Sequence, residues 1–151
     1  MINFIRITDI NIGLFQEKIE EFFFKNKDSY NFFHPHGFSL NDFKREINGK
    51  ARDMYIFMEE DSEFCGYGIL RGWDEGYDMP SLGILISSDK RGKGYASLMM
   101  KYLHNVSKDR GAEKIRLTVY KENKRAISLY NKLGYVFSEK NDDELIGIKE
   151  L

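Results

Sequence analysis

Asp89-Lys90-Arg91-Gly92-Lys93-Gly94-Tyr95-Ala96 is the stretch on which the fold turns. It follows Ser81–Ser87, whose Leu82, Ile84, Leu85 and Ile86 read as a strand. It opens a helix over about 93–110, because Ala96, Met99, Leu103 and Val106 are spaced 3, 4, 3, and Gly111 is its stop. The first N–H groups of a helix have no partner of their own, and the helix dipole puts partial positive charge at that end. Gly92 and Gly94 permit unusual backbone angles and close ligand approach, and a small Ala96 lets the helix start pack tightly. The segment therefore predicts a cradle for a phosphate or pyrophosphate, to which Lys90, Arg91 and Lys93 add charge. It does not fit the P-loop, G-x-x-x-x-G-K-S/T. It does not fit the dinucleotide fingerprint either, since Ser97 stands where the third glycine belongs.

Upstream, residues 2–8 alternate as a strand, and from Asp9 the period changes. Ile12, Phe15, Ile19 and Phe22 lie on one face of a helix that Thr8 or Asp9 would cap. Asn26–Ser39 reads as a structured loop, because Tyr30, Phe32, Phe33 and Phe38 do not suit a solvated linker. Ser39 starts a second helix carrying Leu40, Phe43 and Ile47, and Asn48-Gly49 stops it. Asp53–Glu60 and Phe64–Trp73 form a hairpin around Asp61-Ser62-Glu63, with Gly66 and Gly68 marking a bulge or close packing. Downstream, Ile115, Leu117 and Val119 give a strand. Ala126, Leu129, Tyr130 and Leu133 give a short helix ending at Gly134. Tyr135–Lys140 and Glu144–Lys149 are closing strands. The order β-α-α-β-β-β-α-β-α-β-β predicts an α/β domain with a mixed sheet and helices on both faces.

The chain has 151 residues with 23 basic and 24 acidic side chains, which suits one domain spanning 1–151. The near-neutral balance argues against a nucleic-acid binder acting through bulk charge. One cysteine, Cys65, excludes an internal disulfide framework and a cysteine zinc site, and no metal is expected. No apolar run approaches a membrane span, and the first residues do not resemble a signal peptide, so a cytoplasmic protein is expected.

A second constellation lies about 30 residues beyond the first: Asn123, Ala126, Leu129, Tyr130, Lys132, Gly134 and Tyr135, written N-x-x-A-x-x-L-Y-x-K-x-G-Y. Arg91-x-x-Gly94-x-Ala96 resembles the acyl-CoA signature of the GNAT superfamily of N-acetyltransferases, Gln/Arg-x-x-Gly-x-Gly/Ala. The Asn123–Tyr135 run resembles that superfamily's next motif, and the element order fits nearly the whole chain.

The resemblance implies a mostly antiparallel sheet splayed between its fourth and fifth strands, with acetyl-CoA as co-substrate entering the gap. It implies that the backbone of Leu85, Ile86 and Ser87 pairs with the pantetheine arm. The N–H groups of Arg91, Gly92, Lys93, Gly94, Tyr95 and Ala96 would hold the pyrophosphate, Asn123 would bond the arm, and Tyr130 would stand near the sulfur as general acid. The family often places a carboxylate base on or near the fourth strand, and Ser81–Ser87 carries none. His34 and His36, in Phe32-Phe33-His34-Pro35-His36, and Asp74, Glu75 and Asp78 are the candidates for the base. His104 and Cys65 read as structural. The expected acceptor is a primary amine of a small molecule, an amino sugar or nucleotide amino sugar being one guess. A protein or peptide amine, a non-catalytic acyl-CoA-binding module and a homodimer stay open.

Overall fold

The computed structural model describes residues 1–151. Seven strands form one sheet: β1 (Ile2–Ile7), β2 (Met54–Glu60), β3 (Glu63–Arg71), β4 (Ser81–Ile86), β5 (Lys114–Tyr120), β6 (Val136–Glu139) and β7 (Glu144–Glu150). The helices are α1 (Gln16–Lys25), α2 (Leu40–Ile47), α3 (Tyr95–Asp109) and α4 (Lys124–Lys132). The spatial order is β1-β2-β3-β4-β5-β7-β6, and every neighbouring pair is antiparallel except β4 and β5.

β2 alternates two apolar sets, and each set builds a core. Tyr55 and Phe57 face α1 and α2, where they pack with Ile19, Phe22, Phe23, Phe43 and Tyr67. Ile56 and Met58 face α3, where Met99, Met100 and Leu103 meet Ile115, Leu117 and Tyr130. A strand buried on both faces sits in the middle of a three-layer domain. Gly68 lets α3 approach β3, since a Cβ there would stand 2.9 Å from Leu103 Cδ1.

The local departures from the sequence reading have physical causes. The first helix does not run from Asp9. A 3₁₀ turn, Ile12–Leu14, precedes α1, and Phe15 between them leaves helical geometry at φ −124°, ψ 10°. Neither Thr8 nor Asp9 caps it. Asn11 instead ties the chain locally, accepting from Thr8 N at 2.8 Å and donating to Arg6 O at 2.8 Å. The Asn26–Ser39 loop contains a 3₁₀ turn, Lys27–Asn31. The hairpin turn is tighter than expected: Asp61 and Ser62, both at positive φ, connect Glu60 directly to Glu63, as a two-residue turn between right-twisted strands requires.

Candidate active site

The joint between β4 and β5 is a single rung, Ser81 opposite Arg116, with Arg116 N donating to Pro80 O at 3.0 Å. Beyond it the strands part. Ser87 N donates to Cys65 O at 2.8 Å. By the alternation of an antiparallel ladder, Leu85 therefore also turns its main chain to β3, while Ile84 and Ile86 turn theirs to the gap. Of the expected trio, only Ile86 turns its main chain to the opening, with its carbonyl held by Arg91 and its N–H free, and Ile84 joins it.

At the end of that open edge, Gly94 takes φ +86° and precedes α3, and Gly92 takes φ +76°. No backbone N–H from Arg91 to Ser97 donates within the chain. A Cβ at Gly94 would meet nothing within 4 Å, so the main chain there is open to solvent. The basic side chains are mostly committed elsewhere. Lys90 and the Tyr95 hydroxyl both bind Glu60, at 3.0 Å and 2.7 Å, and hold its carboxyl below the usual range. Arg91 donates to Ile86 O (3.3 Å) and Ser29 Oγ (2.9 Å). Lys93 makes no ion pair. Asn123 caps α4, its Oδ1 accepting from Ala126 N at 3.3 Å.

Tyr130 projects from α4 into the core on the α3 side. Four tyrosines are buried: Tyr55, Tyr67, Tyr130 and Tyr135. Three have partners, Glu46 for Tyr55, His36 for Tyr67 and His104 for Tyr135. The Tyr130 hydroxyl makes no hydrogen bond within the chain, and burial pushes its pKa up to about 12.

On the opposite face, where α1 and α2 pack, a cleft of about 290 Å³ opens over the strand gap. The aromatic loop roofs it with Phe32, Phe33, His34 and Pro35. Its floor comes from Arg71, Gly83, Thr118 and Tyr120. Gly83 eases the approach of the roof, because a Cβ there would lie a tight 3.0 Å from Phe33 Cε1. His34 Nδ1 lies 3.0 Å from Tyr30 O, which makes Nδ1 the donor and leaves Nε2 as the acceptor nitrogen, 3.4 Å from the Tyr120 hydroxyl.

The two candidate histidines thus part company. His36 does not line the cleft. Its Nε2 bonds Tyr67 Oη (2.8 Å), its ring packs against Phe23 and Phe43, and burial lowers its pKa. Asp74 spends its carboxylate on the N–H groups of Ala51, Arg52 and Asp53. Neither Glu75 nor Asp78 lines the cleft. His104 pairs with Tyr135 inside the core, and Cys65 is buried. Tyr130 also lies outside the cleft, across the sheet from His34. Arg71, Tyr120, Lys140 and Glu144 line the cleft without any motif to announce them. Only the period of β5, which sends Thr118 and Tyr120 away from the α3 core, could have pointed to one of them.

A sheet opened at its one parallel joint, with unpaired donors at the following helix start, is an architecture for holding an extended phosphate ester along a strand edge. The profile of the Acetyltransferase (GNAT) family matches residues 14–135, and the chain belongs to that family. It is similar to an acetyltransferase of Pectobacterium atrosepticum, 30% identical over 94 residues, which are 62% of this chain and 64% of that protein. The chain spans less than two thirds of the length of the curated relatives it matches. Its fold is similar to that of the PaiA N-acetyltransferase from Thermoplasma acidophilum, solved in complex with coenzyme A. The TM-score is 0.78 at 16% identity, covering 100% of this chain and 99% of that one. The GNAT domain of PAT from S. lividans gives a TM-score of 0.80 at 17% identity, covering 98% and 89%. No helix is long and apolar enough to cross a membrane.

Proposed function

We propose that the protein is an acetyl-CoA-dependent N-acetyltransferase acting on a primary amine by direct transfer. One observation carries the reading: the open main-chain edge of Ile84 and Ile86 runs into an unbroken series of unpartnered N–H groups from Arg91 to Ser97. A strand edge suits an extended amide-bearing arm, and a helix start suits a diphosphate. When bound, acetyl-CoA supplies an activated thioester carbonyl.

The chain's residues then divide the work. The Ile86 N–H polarises the carbonyl oxygen, where a fixed donor is worth roughly 10²–10³ in rate. His34, its ring anchored on Tyr30 O through Nδ1, takes at Nε2 the proton that the attacking amine releases. Tyr130, held neutral by burial, donates a hydrogen bond to the departing sulfur. Its hydroxyl has no partner inside the chain, which leaves it free to serve the sulfur. Holding both substrates together in the cleft supplies most of the advantage, and no covalent enzyme intermediate is needed.

The test is calorimetry with coenzyme A, followed by a panel of amino sugars, nucleotide amino sugars, peptides and polyamines with acetyl-CoA, read by free-thiol release. The reading predicts heat on titration and thiol release with at least one amine. Coenzyme A binding without turnover on any amine would favour an acyl-CoA-binding module, and no heat at all would end the proposal.

A further inference from the structure

We infer that the cleft selects an amine that also carries an anion, a carboxylate or a phosphate, and that Arg71 binds that anion. The amine end of this statement rests on the acetyltransferase reading. The anion end rests on the cleft alone.

Arg71 stands at the end of β3, lines the cleft and keeps 36% of its side chain exposed. Its Nη1 donates to Pro35 O at 3.1 Å and to Glu46 Oε2 at 3.3 Å. Burial pushes the Glu46 carboxyl up, but the Tyr55 hydroxyl, 2.6 Å away, and Arg71 outweigh that and hold it ionised. The guanidinium is therefore fixed from one side. Its Nε and Nη2 make no hydrogen bond within the chain, and those two nitrogens form the edge that grips a carboxylate or phosphate with two parallel bonds. An arginine already immobilised loses little freedom when it binds. Glu46 does not line the cleft, so it orients Arg71 without occupying its free edge.

The rest of the charged lining is one lysine, Lys140, and one glutamate that offset each other, which leaves Arg71 as the unbalanced charge facing the cleft. The one carboxylate, Glu144, is attended by Lys140 at 4.0 Å and by Asn141 Nδ2 at 3.1 Å. A polyamine, bearing only positive charge, would meet the fixed Arg71 guanidinium and a single carboxylate already shared with Lys140. Arg71 and His34 line one cleft, and Arg71 Nη1 bonds the carbonyl of Pro35, the residue after His34, so a short acceptor meets both.

The experiment compares matched acceptors: lysine against pentane-1,5-diamine, and 2-amino-2-deoxyglucose against its 6-phosphate. In the wild type, the anionic member of a pair should show a kcat/KM at least tenfold above its uncharged or cationic counterpart, expressed in KM. Arg71→Gln should raise the KM for the anionic member roughly 10- to 100-fold more than that for its counterpart. Arg71→Lys, which keeps a charge near Pro35 and Glu46, should fall between and guards against misfolding. The pair that responds tells carboxylate from phosphate. Equal or better use of both counterparts, or an equal loss on both members in Arg71→Gln, overturns the inference. The four probes are also titrated by calorimetry into protein with and without coenzyme A. No heat with coenzyme A would defeat the acetyltransferase reading alone, because anion preference is still read from the probes. Coenzyme A heat with no probe bound or acetylated defeats the inference alone.

Discussion

The Tyr130 hydroxyl has no partner within the chain, and Tyr130 is the residue on which the proposed chemistry can be checked most directly. With its pKa pushed up to about 12, it stays protonated throughout the physiological range and acts only as a donor. Tyr130→Phe should lower kcat by roughly 10²- to 10⁴-fold and leave coenzyme A affinity nearly unchanged, measured by thiol release and calorimetry on the same preparation. Tyr130 was legible in the sequence because it stands inside a local motif. Arg71, Tyr120 and Glu144 were not, because three separate strand ends and loops bring them together and no spacing along the chain records that. His34 and His36 show the limit from another side. They are two residues apart in an irregular loop, so no periodicity says which ring faces the cleft and which joins the aromatic core.

At the scale of elements, period and glycine placement carried most of the fold. The alternation in β2 was enough to assign both of its faces, and the 3, 4, 3 spacing in α3 placed its buried side. What escaped were the short 3₁₀ turns at Ile12–Leu14 and Lys27–Asn31, whose geometry depends on side chains such as Asn11 completing the backbone's hydrogen bonds. Gly68 was read as a mark of either a bulge or close packing. The bulge falls at Met58/Glu59, and Gly68 is the packing case. Gly68→Ala should therefore cost about 1–3 kcal/mol by forcing Leu103 and Met99 of α3 outward, seen as a lower urea midpoint with an unchanged slope.

Across the whole molecule, two apolar layers share one sheet, and each seats a histidine on a tyrosine hydroxyl: half-buried His36 with Tyr67 on one side, buried His104 with Tyr135 on the other. Burial lowers both pKa values, that of His104 to about 4. The unfolded chain thus takes up protons before the folded one does, and stability declines as pH falls from about 6.5 towards 4. The melting temperature should be lower at pH 5 than at pH 7, and His104→Gln should flatten that slope in thermal denaturation. The single rung between β4 and β5 has a wider meaning for such a body. It is a fault line, and the half-sheets on its two flanks share few main-chain bonds and are joined chiefly through the apolar cluster beneath α3. A guest laid along the seam would act as a keystone, adding the missing rungs, so the protein would gain cooperativity from the molecule it handles.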